Sequence, residues 1–164
     1  MSLQIRPMCV NDLDTVVEMA LESYCLERRS CGVLPASFNA DYVRKQLSEI
    51  IETGTGKLAM EAETPIGFLA FGKPFSVGNS AYGTKSPLFG YGVRHEKRDI
   101  IIGKLFQDIA AEVCEKYIES FNLLVTHGTI NPNARGFWDK YFSNYAYTMA
   151  RVIDKDMLGI IERI

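Results

Sequence analysis

Residues 93–104 combine a strand end, cationic side chains and a glycine at the expected start of a helix. Arg98, Gly103 and Lys104 lie around the beginning of an amphipathic pattern that starts near Asp99. The first amides of a helix have no intrahelical acceptor, and the helix dipole favours negative charge at that end. The segment is therefore suited to bind a pyrophosphate through main-chain N–H groups, with Arg98 or Lys104 adding charge. The alternative is an ordinary helix start in which Gly103 serves packing only.

The elements that would position this segment are one strand before it and one after the helix. Residues 88–93, with Gly90 and Gly92, predict a strand, and residues 122–126 predict a buried strand. A strand, a long helix and a second strand in this order form a parallel, right-handed unit. Glycine within a strand indicates either a β-bulge or close packing of a larger group on the backbone. Both interpretations stay open here.

The first half of the chain predicts a frame around that unit. A short strand begins near Leu3, a helix capped by Asn11 follows, and a second helix runs from Ala40 to a stop at Gly54. Residues 29–38 between the helices predict a loop. The next segments predict an antiparallel hairpin and its extended tip: residues 57–62, 66–71 and 72–87.

The second half ends in a short helix at 133–142 and a closing strand at 145–153. The order predicts an α/β (α+β) fold: a single mixed sheet of six to seven strands with helices on both faces. Residues 1–153 are expected to form one domain and residues 154–164 a tail. That tail is interpreted as a docking helix, an edge strand of a homodimer, or a linker to a second module.

Composition and charge exclude several classes of protein. The chain has 164 residues, 47% of them hydrophobic, and a formal net charge of −2, which is typical of one folded domain. No broad basic surface favours nucleic acid as a partner, and no apolar run approaches the ~18 residues that span a bilayer. Four scattered cysteines without short metal-binding clips predict reduced thiols, no metal and a cytoplasmic location: Cys9, Cys25, Cys31 and Cys114.

The order of elements resembles the GNAT superfamily of N-acyltransferases over nearly the whole chain. Residues 93–104 are similar to that family's acyl-CoA pyrophosphate loop, in which a strand-ending valine precedes Arg-x-x-Gly-x-Gly at the start of a helix. Arg98 and Gly103 match, whereas Ile101 stands where the first glycine is expected. Similar modules also occur as the first half of longer tandem GNAT-like chains.

A second segment, residues 131–140, resembles the family's Asn-x-x-Ala-x-x-Phe-Tyr-x-Lys motif beside the CoA thiol. The residues that match are Asn131, Ala134, Phe137 and Lys140. Trp138 replaces the tyrosine that often serves as general acid. The resemblance implies acetyl-CoA as cosubstrate, bound by residues of the two motifs: Val93, Arg98, Ile101, Ile102, Gly103, Lys104, Asn131, Ala134, Phe137 and Trp138. Val93 would hold the thioester carbonyl with its backbone N–H.

The proton transfers of such a reaction need other residues, because residues 88–93 lack the glutamate that many family members use there. The candidate general bases are Tyr91, His95 and His127, and a histidine side chain ordinarily titrates near neutrality. Tyr141, near Trp138, is the candidate acid, because an indole N–H has no useful acidity. A structural histidine and a core tyrosine are the alternatives for His127 and Tyr141.

The function implied by the resemblance is transfer of an acetyl group from acetyl-CoA to a primary amine of a small molecule, directly within a ternary complex. The acceptor pocket is expected between residues 29–38 and 72–87. The alternative is a GNAT-like module that binds CoA or a protein partner without turnover, since the glycine, the glutamate and the tyrosine of the family pattern are all absent.

Overall fold

The structure is a computed structural model that describes residues 3–31, 39–76, 84–116, 121–125, 136, 138–140 and 142. Its elements follow the chain in this order: β1 (Leu3–Pro7), a 3-10 turn (Val10–Asp12), α1 (Leu13–Cys31), α2 (Ala40–Thr53), β2 (Thr55–Glu61), β3 (Thr64–Phe71), β4 (Phe75–Ser76), β5 (Thr84–Val93), α3 (Arg98–Lys116) and β6 (Phe121–Leu124). Residues 136 and 138–140 of the predicted short helix are helical. The closing strand at 145–153 and the tail at 154–164 lie outside the described residues.

Strands β1, β2, β3 and β5 lie side by side in that order as an antiparallel array. The first residues of β5 pair antiparallel with β4 and parallel with β6. The predicted parallel unit of strand, long helix and strand is therefore confirmed, and so is the mixed α/β class. The full count of six to seven strands depends on residues outside the described ranges.

Each face of the sheet is covered by its own helices. Leu58 and Phe68 face α1 and α2, whereas their neighbours Ala59 and Leu69 face α3, because successive side chains of a strand point to opposite faces. The buried helix residues that meet them are Val16, Ala20, Val43 and Leu47 on one face and Ile101, Leu105 and Ile109 on the other. The expectation of helices on both faces is confirmed.

Lys57 fixes α3 to the sheet by charge. The side chain of this β2 residue is 9% exposed, and its Nζ lies 2.9 Å from Asp108 and 2.6 Å from Glu112 on α3. Burial lowers the pKa of Lys57, but the hydrogen bonds to Glu112 and Asp108 outweigh burial and raise it above its usual value. The helix that carries the glycine segment is thereby held in place along its length.

Two predicted boundaries are wrong by three or more residues. α1 continues to Cys31 through residues predicted as the start of a loop, because the first helix-breaking residue is Gly32. β5 begins at Thr84, four residues before the predicted start at 88. Ser86 and Pro87 are typical of turns, but here they join β5 to the end of β3: Ser86 Oγ donates to Gly72 O at 2.6 Å, and Gly72 N–H donates to Pro87 O at 2.7 Å.

The predicted helix cap at Asn11 is also wrong, because Asn11 lies inside the 3-10 turn that precedes α1. The carboxylate that stabilises this turn belongs to Asp12, whose Oδ2 accepts a hydrogen bond from Cys9 N–H at 2.8 Å. Arg6, from β1, donates to both oxygens of Asp12 at 2.7 Å. The start of α1 is thus tied to the end of β1.

Asp12 is expected to make the stability of the fold depend on acid pH. The hydrogen bonds from Arg6 are the main cause that lowers the Asp12 pKa from 3.8 to about 2. A carboxyl whose pKa is lowered in the folded state contributes stability above its unfolded pKa, and this contribution is lost as the pH falls through the folded pKa. Asp12→Asn should therefore cost about 2 kcal/mol at neutral pH, which urea unfolding would measure.

The same substitution should flatten the loss of stability of the wild type between pH 3.8 and about 2. Asp41→Asn, at an exposed position of α2, is the matched control and should leave that loss unchanged. An Asp12→Asn variant that loses stability over this pH range as steeply as the wild type would contradict the assignment.

Candidate functional site

β5 changes partners half-way along its length. Residues 84–87 pair in parallel with β6, and residues 88–93 pair antiparallel with β3. In the part of the chain that the structure describes, no strand pairs with residues 88–93 on the side away from β3. We call this side the open edge of β5. An unpaired strand edge presents main-chain N–H and C=O groups to a ligand.

Two amides of β5 are directed towards the open edge. Arg94 N–H donates to Ile66 O at 2.9 Å, and Val93 lies opposite Gly67 in the register with β3. Because the hydrogen-bonding groups of a strand alternate between its two sides, the N–H groups of Val93 and Tyr91 point away from β3. The backbone direction at Val93 is thus consistent with the carbonyl contact that the sequence predicts.

A β-bulge interrupts β5 beside its open edge. The register with β3 passes from Leu88 directly to Gly90, so Phe89 is the extra residue. The hydroxyl of Tyr24, on α1, donates a hydrogen bond to Phe89 O. Sequence reasoning missed Tyr24 as a functional residue, because its place in the apolar stripe of α1 predicts burial and carries no signal for a hydrogen bond.

The two glycines of β5 allow α1 to approach the strand. A Cβ atom on Gly90 would lie 2.9 Å from Tyr24 Oη, and one on Gly92 would lie 2.8 Å from Met19 O. Both distances are too short for a side chain, so a Cβ on Gly90 would displace the Tyr24 hydroxyl, and one on Gly92 would press against the backbone of α1. Both interpretations left open by the sequence are correct: a bulge lies next to Gly90, and both glycines admit a neighbouring element.

α3 begins at Arg98, one residue before its predicted start at Asp99. Ile101 N–H donates to Lys97 O at 3.1 Å, which closes the first turn of the helix. The N–H groups of Arg98, Asp99 and Ile100 precede it and have no carbonyl acceptor within the helix. The free main-chain donors are therefore these three, and the N–H of Ile101 is engaged by the helix itself.

An open concavity of about 400 Å³, lined by residues 95–100, lies against these three amides. His95 fixes the turn that leads into the helix, because its Nδ1 accepts a hydrogen bond from Lys97 N–H at 3.0 Å. Its Nε2 lies 3.9 Å from Glu61 Oε2. The imidazole is thus part of the wall of the concavity.

Packing among the described residues does not require glycine at position 103. A Cβ atom at this position would meet nothing within 4 Å among the described residues, and glycine inside a helix costs roughly 0.5–1 kcal/mol relative to alanine. Ile101 and Ile102 are 0% and 3% exposed and pack against the sheet, whereas Lys104 is exposed. The side chain of Ile101, at the place of the missing glycine, therefore points into the core and leaves the space beside Gly103 open.

The charges near the start of α3 are partly compensated. Arg94 is held by α1: its Nε donates to Glu22 Oε2 at 2.8 Å, and its Nη2 donates to Glu22 Oε1 at 2.5 Å and to Glu18 at 3.4 Å. The hydrogen bonds from Arg94 lower the pKa of Glu22. Arg98 Nε lies 3.2 Å from Asp99 Oδ1. Arg94 thus anchors the turn to α1. Arg98 and Asp99 place one positive and one negative side chain beside the three free amides.

Trp138 packs in an aromatic cluster between β5 and α3. It is 2% exposed, and its ring centroid lies 5.9 Å from that of Tyr91 and 5.4 Å from that of Phe142, in edge-to-face geometry. Phe142 in turn lies 5.2 Å from Phe106 of α3. The structure therefore brings Tyr91 and Trp138 together, and it places Trp138 in the core shared by β5 and α3.

Several residues predicted for the site lie outside the described ranges, as do parts of the two segments predicted to line an acceptor pocket. The residues are His127, Asn131, Ala134, Phe137 and Tyr141. Of the two predicted segments, 29–38 and 72–87, the parts outside the described ranges are residues 32–38 and 77–83. Their roles stay predictions.

The described ranges contain no group of three or more His, Cys, Asp or Glu side chains arranged to hold a metal ion. Within the same ranges, none of the helices is both long and apolar enough to cross a membrane. Cys9, Cys25 and Cys114 are free thiols.

No protein-family model matches this sequence, and no curated protein matches it. Solved structures do match. A predicted acetyltransferase from Clostridium acetobutylicum, solved with acetyl-CoA, has a TM-score of 0.69 at 11% identity, over 92% of this chain and 96% of that chain. AAC(6')-Iy in complex with the bisubstrate analogue CoA-S-monomethyl-acetylneamine has a TM-score of 0.67 at 13% identity, over 94% and 99%.

A GCN5-related N-acetyltransferase from Ralstonia eutropha JMP134 has a TM-score of 0.64 at 14% identity, over 92% of this chain and 99% of that chain. At these identities the likeness concerns the fold and not the substrates. The resemblance noted in the sequence is confirmed at that level: this chain has the fold of the GNAT superfamily of N-acetyltransferases.

Proposed function

We propose that the chain transfers an acetyl group from acetyl-CoA to a primary amine of a small molecule, directly within a ternary complex. The observation that carries this proposal is the adjacency of two sets of main-chain donors. The free amides of residues 98–100 begin α3, and the amides of Tyr91 and Val93 face the open edge of β5 just before it. The first set suits a diphosphate and the second a thioester carbonyl.

The diphosphate of CoA would lie against the start of α3. Three consecutive amides and the helix dipole attract an anion, and Arg98 and Lys104 supply positive charge nearby. Gly103 is consistent with a diphosphate at this place, because a side chain there would fill space that the described protein atoms leave open. Ile101 and Ile102 contribute through the core, where their burial fixes the helix that presents the donors. Asn131, Ala134 and Phe137 remain candidates from the sequence.

The acetyl group would lie along the open edge of β5, with its carbonyl oxygen accepting a hydrogen bond from Val93 N–H. The amine nitrogen attacks the carbonyl carbon, the C–S bond breaks, the amine loses a proton to a base, and the CoA thiolate takes up a proton. Near neutrality only about one part in a thousand of a primary amine with pKa ~10.4 is unprotonated. Using this form costs roughly 4 kcal/mol unless a base removes the proton. Orientation of the two reactants supplies much of the acceleration.

The groups that move these protons are proposed as Tyr91 or His127 for the amine and Tyr141 for the thiolate. Tyr91 lies on β5 itself, and its ring contacts Trp138. Trp138 is buried and has an indole N–H without useful acidity, so it does not replace the missing tyrosine as an acid. The neighbour that holds a CoA–acetylneamine analogue supports a small-molecule amine as the acceptor.

A second candidate function is a module that binds CoA without turnover. The burial of Trp138 at the position of the family's acid favours it, as does the lack of an acidic residue in β5. Both functions need the same CoA site and differ only in the chemical step.

Two measurements on the wild type separate these functions. Acetyl-CoA at 100 times its dissociation constant should stabilise the fold by about 2.7 kcal/mol, visible as a rise in Tm. Thiol release from acetyl-CoA should then depend on an added amine, tested with aminoglycosides, polyamines and amino acids. Stabilisation with amine-dependent release supports the transferase, and stabilisation without release supports the binding module. No rise in Tm at millimolar acetyl-CoA would contradict both.

Asp99 is expected to weaken the binding of CoA. Its carboxylate lies in the first turn of α3, where a negative charge stabilises the helix but repels a diphosphate. Asp99→Asn should tighten CoA binding by roughly twofold to fivefold in calorimetry, while lowering stability by about 0.3–1 kcal/mol. Asp108→Asn would confound this comparison through Lys57, so Glu115→Gln, an exposed position at the far end of α3, is the control. Weaker CoA binding in Asp99→Asn would overturn the assignment of the diphosphate to this helix start.

A further inference from the structure

We propose that Tyr24 is a positioning residue that holds the bulge of β5 and thereby directs the main-chain donors at the open edge towards the thioester carbonyl. This inference rests on the proposed function and adds to it a residue from α1, an element that neither of the two CoA motifs includes. It predicts that Tyr24 distinguishes acetyl-CoA from CoA without contacting either ligand.

The direction of the Phe89 carbonyl is the first observation. Gly90 lies opposite Ala70 and shares the side of β5 on which Arg94 N–H bonds to β3, so Gly90 N–H faces β3. The C=O of Phe89 belongs to the same planar peptide unit and points the opposite way, towards the open edge. In a continuous sheet this carbonyl would be bound by the next strand.

Tyr24 takes the place of that strand. Its hydroxyl donates to Phe89 O, which satisfies the carbonyl from α1 at the point where β6 no longer pairs with β5. A buried or half-buried carbonyl without a donor is costly, and an unbound one would attract another chain segment to the edge. The hydroxyl therefore keeps the bulge in one arrangement without occupying the positions beyond Phe89 along the edge.

Gly90 provides an independent indication that this contact is built into the site. A Cβ on Gly90 would lie 2.9 Å from Tyr24 Oη, so only glycine admits the hydroxyl beside the strand. The next residue, Tyr91, is the first whose N–H faces the open edge, and Val93 is the second. A rotation of the bulge peptide would be passed directly to Tyr91 and, through Gly92, to Val93.

Loss of the Tyr24 hydroxyl is expected to affect the binding of the acyl group and not the binding of the diphosphate. The diphosphate is held at the start of α3, which Tyr24 does not touch, whereas the carbonyl is held at the open edge. CoA lacks the acyl carbonyl and acetyl-CoA has it. Loss of the hydroxyl should therefore weaken acetyl-CoA and leave CoA nearly unchanged, a split that a general loss of packing would not produce.

The test compares Tyr24→Phe with the wild type, with Tyr42→Phe at an exposed position of α2 as the matched control. Calorimetry should show acetyl-CoA binding weakened about tenfold in Tyr24→Phe, the size expected for one lost hydrogen bond, with CoA affinity within about twofold. The infrared stretch of the ¹³C-labelled thioester carbonyl should fall on binding to the wild type and to Tyr42→Phe, and stay near the free value in Tyr24→Phe.

Each other outcome decides the matter. If the wild type binds neither ligand, the proposed function fails and this inference fails with it. If the wild type binds both and Tyr24→Phe binds acetyl-CoA equally well with the same carbonyl shift, the inference is wrong and the proposed function stands. An equal loss of both affinities also overturns it, because that result indicates a general structural role. If Tyr24→Phe does not fold, Gly90→Ala takes its place, because its methyl group displaces the Tyr24 hydroxyl. It should likewise weaken acetyl-CoA binding and leave CoA binding nearly unchanged.

Discussion

Gly103→Trp is expected to lower the affinity for CoA by more than about 100-fold while leaving the free energy of unfolding within about 1 kcal/mol of the wild type. The two effects have separate causes. No described atom lies within 4 Å of a Cβ at this position, so a side chain can leave the helix here without a clash at its first atom, and tryptophan is a better helix former than glycine. The same indole would fill the space beside the free amides of residues 98–100, which a diphosphate needs. Calorimetry with CoA and urea unfolding measure the two quantities.

The control for Gly103→Trp is Ala111→Trp, which places the same side chain at an exposed position further along α3. It should leave CoA affinity unchanged. Gly103→Ala should stabilise the fold by about 0.5–1 kcal/mol, because it removes the conformational cost of glycine in a helix. CoA affinity retained in Gly103→Trp would remove Gly103 from the site, and a large loss of stability would mean that the position is packed.

Trp138→Ala is expected to cost about 3–5 kcal/mol of stability, the range for removing a large aromatic side chain from a core. The indole is 2% exposed and makes edge-to-face contacts with Tyr91 and Phe142, and both contacts are lost in the variant. Urea unfolding at neutral pH measures the effect. This effect would show that Trp138, at the position of the family's acid, stabilises the packing of β5 against α3.

Phe75→Ala is the matched control for Trp138→Ala, because Phe75 is a large aromatic residue that is 44% exposed. It should cost less than about 1 kcal/mol. A Trp138→Ala variant with stability within that limit would contradict the burial of the ring.

The arrangement of the long elements could be predicted from the sequence because their patterns are regular. The apolar stripe of α3 and the buried strand after it predict a parallel unit, and the register of β5 with β6 confirms it. The start of β5 at Thr84 is harder to predict from the sequence, because Ser86 and Pro87 are typical of turns. Their pairing with β6 and their hydrogen bonds to Gly72, which are tertiary interactions, make them part of a strand.

The candidate site was predicted in part. The sequence offers two explanations for Gly103, and the lack of any described atom within 4 Å of a Cβ there favours a ligand over packing. Ile101 departs from the family pattern, in which a glycine is expected, and its side chain is fully buried in the core. The contribution of Tyr24 could not be predicted, because it depends on a bulge and on the approach of α1 to Gly90. Both are properties of the packed structure and not of local patterns.

The measurement that tests the central claim most directly is an NMR titration of the ¹⁵N-labelled protein with CoA. The account expects the amide resonances of Arg98, Asp99 and Ile100 to move together and to saturate with one dissociation constant, and acetyl-CoA to move Val93 in addition. Unchanged resonances of these three amides at millimolar CoA, or changes confined to other elements, would contradict a diphosphate site at the start of α3.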